Sequence, residues 1–138
     1  MWHKGLTGLT VFIWLGVLAA SVSKTLGLFP DTLSAVETAM GGDKRLHLAL
    51  AYVCSLSVFF VFCQGADRKW QAILSWVLIL LILFTLDEGL QMIFPLRQFS
   101  WEDLAANYLG LALALITWFA LKKLIGTRNL KEQLNGVR

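Results

Sequence analysis

Charge is what this chain has least of. Only 15% of its 138 residues are Asp, Glu, Lys or Arg, where a soluble domain carries about 25%. That shortage excludes an ordinary solvated surface. Proline is almost as scarce: Pro30 and Pro95 are the only two, and both fall between apolar stretches. The two cysteines, Cys54 and Cys63, lie within one apolar stretch. On a helix that spacing is roughly 13 Å, too far for a disulfide. There is no His-Glu-x-x-His motif and no cysteine pair of the zinc type, so neither a metal nor a cofactor is expected. The sequence shows no internal repeat and no low-complexity tract, and its length leaves no room for a second soluble domain. The basic C-terminal tail has five cations over seventeen residues with no aromatics interleaved. It therefore does not read as a nucleic-acid surface.

What the chain has is apolar residues, 57% of the total, with a mean hydropathy of +0.67. They come in blocks long enough for the roughly 20 residues a bilayer span needs. The fold class that follows is an all-α integral membrane protein, a single bundle of four transmembrane helices at about 5–23, 46–62, 70–94 and 101–121. The first block, between Lys4 and Lys24, has a rival reading as a cleaved signal peptide with small residues at Ser21 and Ser23. It is read here as a retained span. Between the first two blocks, Phe29-Pro30-Asp31 is a turn signal. Asp31 is placed to cap a short interfacial helix through Met40, ended by Gly41-Gly42. Leu33, Val36 and Met40 share one face of that piece. Pro95 closes the third block, and Ser100-x-x-Asp103 reads as a capping box opening the fourth. Residues 122–138 form the basic tail.

Lysine and arginine in the connections set the orientation. Eight fall on one side: Lys4, Arg68, Lys69 and the five of the tail. Four fall on the other, Lys24, Lys44, Arg45 and Arg97. The richer side is expected in the cytoplasm, with both termini. Trp70 and Trp118 then suit an inner aromatic belt and Trp101 an outer one.

This topology gathers the polar residues. The second block begins, the third ends and the fourth begins at the extracytoplasmic level. Asp43, Lys44 and His47, then Asp87, Glu88 and Gln91, then Arg97, Ser100, Asp103 and Asn107 all fall there. Ala106, Gly110 and Ala114 make a small-residue series along which another helix can approach. The expected result is a polar pocket between three helices, opening outward. Ionisable groups at such depth are costly and default to a functional reading. A salt-bridge cluster, with Arg97 on Glu88 or Asp103, is the structural alternative.

The same residues carry a resemblance. Asp43-Lys44-x-x-His47, Asp87-Glu88-x-x-Gln91 and Phe94-Pro95-x-Arg97-x-x-Ser100-x-x-Asp103-x-x-x-Asn107-x-x-Gly110 resemble the VanZ-like family. That family is named for a small membrane protein linked to low-level teicoplanin resistance. The likeness covers residues 43 to 115, and Leu96 departs from it where the family commonly has glycine. It implies a four-helix membrane protein associated with the cell envelope.

Three functions compete. In the first, Arg97 with Lys44 holds an anionic lipid headgroup or lipid-linked envelope precursor, because a guanidinium grips such groups with two parallel hydrogen bonds. In the second, the protein is an enzyme acting on a phospholipid or polyprenyl-phosphate lipid. His47 beside Asp43 would be the general base and Glu88 the general acid. No nucleophile motif supports this. In the third, the chain is a structural partner subunit of a membrane complex.

Overall fold

The computed structural model describes residues 2–63, 70–95 and 97–135, with side chains for 4–63, 70–95 and 97–125. The polar connection at 64–69, Leu96 and the side chains of the tail from 126 onward lie outside the described residues. Among the described residues five helices follow one another: α1 (Trp2–Thr25), α2 (Pro30–Ala39), α3 (Asp43–Phe62), α4 (Trp70–Leu90) and α5 (Trp101–Asn135), with a short 3-10 turn at Gln91–Ile93 after α4. No strand occurs among the described residues. Four segments, Lys4–Thr25, Asp43–Phe62, Trp70–Ile93 and Trp101–Ile125, are long and apolar enough to cross a membrane. The chain is thus a multi-pass membrane bundle, as its apolar blocks require.

The helix ends follow from local chemistry. At the end of α2 the Gly42 N–H donates to the Glu37 carbonyl at 2.8 Å and the Gly41 N–H to Thr38 at 3.0 Å. Gly41 has φ 83°, which a residue without Cβ adopts at little cost. The same pair of bonds, Leu28 to Ser23 and Gly27 to Lys24, closes α1. Asp31 is not the cap of α2. Phe29 holds that position with φ 55° and no side-chain cap bond, and Asp31 sits in the first turn. Pro30 disfavours a right-handed helical conformation in the residue before it, and Phe29 takes the left-handed one.

Two more boundaries differ from the sequence expectation. The third span leaves α-geometry at Gln91 rather than running on to Phe94. Pro95 would clash with the Gln91 carbonyl in a continued helix, and Phe94 is extended at φ −99°, ψ 126°. The fourth helix does not stop near Leu121 but continues to Asn135. The apolar run ends near Ile125, yet the residues beyond it include strong helix formers and no proline.

The core joins α3, α4 and α5. Val58, Phe59, Cys63, Ile73, Leu80, Leu111, Ala114 and Trp118 form its buried cluster. Trp118, expected at an interface, is instead only 3% exposed, whereas Trp70 and Trp101 are well exposed. Both cysteines are buried. The most extensive pairing is α3 with α5, and α3 also touches α1, α2 and α4. The small-residue series of α5 makes that pairing possible. A Cβ on Gly110 would lie 2.5 Å from the Leu48 carbonyl oxygen and 2.9 Å from the Tyr52 nitrogen. Only glycine permits so close a backbone approach.

Candidate functional site

The polar residues converge at one end of the bundle, where α1 and α4 finish and α3 and α5 begin. Seven carboxylates (Asp31, Glu37, Asp43, Asp87, Glu88, Glu102, Asp103) meet four cations there (Lys24, Lys44, Arg45, Arg97).

Two chambers occupy this end. A largely apolar cavity of about 380 Å³ runs between α1, α2, α3 and α4, from Trp14 and Cys54 in its depth to Lys24, Asp43 and His47 at its rim. A second, polar chamber of about 630 Å³ is walled by Gln91, Gln98, Ser100 and Asp103 among others. Lys24, Asp43 and Arg97 border both. The seam between them is therefore charged on either side.

Arg97 does not pair with Glu88 or Asp103. Its Nη1 donates to Ser21 Oγ at 2.9 Å, to the Ser21 carbonyl at 3.4 Å and to Thr25 Oγ1 at 3.3 Å. Its Nε is buried without an acceptor. Ser21 in turn donates to Asp87 Oδ1 at 3.0 Å. One α1 hydroxyl thus ties the end of α4 to the loop before α5. Lys24 reaches Glu37 at 2.7 Å and Asp43 at 3.0 Å.

Glu88 is wholly buried and borders neither chamber. Its Oε1 accepts from the Ser100 N–H at 2.8 Å and its Oε2 from Gln91 Nε2 at 2.9 Å. The Asp103 N–H donates to Ser100 Oγ at 3.2 Å, the local half of the expected capping box. Glu88 therefore anchors the start of α5 across the bundle, a structural use of a residue read as a general acid. Lys44 is likewise engaged elsewhere. It pairs with Glu102, both side chains being more than half exposed, and borders neither chamber.

The remaining expected residues come together. Asp43, His47, Asp87 and Asn107 line the apolar cavity, and Asp43, Gln91, Ser100 and Asp103 the polar chamber. His47 Nε2 is 3.6 Å from Asp43 Oδ1, outside hydrogen-bond range. Sequence reasoning placed the pocket among three helices and missed α1 and α2. Ser21, Lys24 and Thr25 carry a signal that could have found them. They are polar residues one turn apart, closing an apolar span at the same level as Asp43.

No family model, curated protein or solved structure matches the chain.

Proposed function

We propose that this is a cell-envelope protein of a cytoplasmic membrane, with both termini in the cytoplasm, that binds an anionic lipid headgroup or lipid-linked envelope precursor from the extracytoplasmic side. The observation that carries this is Arg97. It borders both chambers, makes no ion pair among the described residues and keeps one buried N–H without an acceptor. A guanidinium in that position has charge to spend on an anion. The neighbouring apolar cavity extends from Lys24 down to Trp14, about 15 Å along α1, and would take a lipid tail. An amphiphile is the ligand whose two parts suit two such chambers. The excess of basic residues at the opposite end supports the orientation. The resemblance to the VanZ-like family supports a place in the envelope and, through it, a link to glycopeptide resistance.

The test is mass spectrometry of lipids retained by wild type and Arg97→Gln, expressed in a bacterial host and purified in mild detergent. Ser21→Ala serves as the control that loosens α1 but keeps the charge. Wild type and Ser21→Ala should retain an anionic lipid that a folded Arg97→Gln loses by about 10- to 100-fold, the scale of one charge-assisted hydrogen bond. Equal retention by Arg97→Gln would remove the headgroup role.

A further inference from the structure

We propose that Asp43 and His47 of α3, with Asp103 of α5, form a binding site for a divalent transition-metal ion of the zinc or manganese type. One donor atom from each lies within 4.8 Å of the others. Donors on a single zinc at about 2.1 Å sit roughly 3–4 Å apart, so the set closes by side-chain rotation of about an ångström. An independent observation points to a cation. Asp103 is only 7% exposed, and its Oδ1 is buried with no hydrogen-bond partner. A buried carboxylate oxygen left in that state is costly, and a cation removes the cost.

Lys24 does not fill the role. It stands 2.7 Å from Glu37 and touches only Asp43 of the three donors, so it keeps Glu37 as counter-ion when a metal takes Asp43.

The donor set narrows the identity. One imidazole nitrogen with two carboxylates suits zinc or manganese better than magnesium or calcium, which favour all-oxygen shells. Three protein ligands leave a coordination position open, and Asp43 and Asp103 border the polar chamber. No sequence motif announces the site, because its ligands come from two helices brought together at Gly110. The site does not rest on the lipid reading, since its ligands are all side chains of this chain.

The experiment is titration of Mn2+ and Zn2+ into tag-free, chelator-treated and delipidated full-length protein in detergent, with helicity and monodispersity checked throughout. Wild type should bind one ion per chain at saturation. Asp103→Asn, nearly isosteric, should weaken binding about 100-fold or more, beyond the 10- to 100-fold that even an outer-shell change costs. Glu102→Gln, outside the donor set, should bind as wild type does. Bound Mn2+ should show nitrogen hyperfine coupling in pulsed electron paramagnetic resonance, lost in His47→Gln. No saturable binding by folded wild type overturns the proposal without any variant being needed. Equal binding by Asp103→Asn, or a bound Mn2+ without nitrogen coupling, overturns it as well. Because lipid is removed beforehand, a failure here leaves the lipid test standing, and the reverse.

Discussion

The apolar spans within α1 and α5 are of similar length, and the two helices are held in opposite ways. One third of the α5 span is buried, against 6% of the α1 span. α5 is seated by shape. Its small-residue face lets α3 come close at Gly110, its far half packs into the core through Leu111, Ala114 and Trp118, and Glu88 fixes its first turn. α1 exposes Phe12, Leu15 and Leu18, so the rest of the chain leaves much of it uncovered. What ties it to the rest is mainly polar: Thr10 to the Ser57 carbonyl, Ser21 and Thr25 to Arg97, and Lys24 to Asp43. In a bilayer, apolar surface gives a helix no reason to prefer protein over lipid. Position then comes from close packing or from polar bonds, and this molecule uses one for each helix. The difference puts the cavity wall that α1 supplies on the side where the bundle is least interlocked.

The comparison breaks most severely at Gly110. Gly110→Val should cost about 3 kcal/mol or more, at or beyond the upper end of overpacking effects, because the two nearest atoms it meets are backbone and cannot rotate away. Thermal unfolding in detergent would read this. A variant of wild-type stability would mean that shape does not seat α5. A smaller effect is expected from removing the polar ties of α1. Ser21→Ala with Thr25→Ala loses hydrogen bonds of about 0.5–1.5 kcal/mol each. Backbone hydrogen exchange should rise in α1 and stay unchanged in α3 and α5; a uniform rise would mean that α1 belongs to the same cooperative unit. The smallest effect belongs to Lys44→Gln. Its pair with Glu102 is solvent-exposed on both sides, so stability should barely change. A larger loss would show that the ion pair, not Gly110, governs how α3 and α5 meet.

Much of the candidate site was legible because residue spacing on a helix is local information. Asp43 and His47 share a face by their four-residue separation, and the alternation of spans brings them level with Asp87 and Asp103. Gln91, Ser100 and Asn107 line the chambers as that arithmetic requires. The partners of Lys44 and Glu88 were not legible, for the same reason that Ser21 and Lys24 were missed. A charge in sequence does not say which partner it has across the bundle, and here Glu102 takes Lys44 while Ser100 and Gln91 take both oxygens of Glu88.

By itself, the sequence determined that this chain is helical, that four of its segments can cross a membrane, and that most of its carboxylates collect at one end. Length, apolar runs and the breaks at Pro30 and Pro95 act within a few residues of themselves, so they can be read along the chain. Only the tertiary structure decided that Arg97 turns to α1 and has no ion-pair partner among the described residues, that the cavity has α1 and α2 for walls, and that Asp103 meets Asp43 and His47. Those outcomes depend on how closely two backbones approach and on which buried polar group finds which partner. Both are set by contacts between residues far apart in the chain.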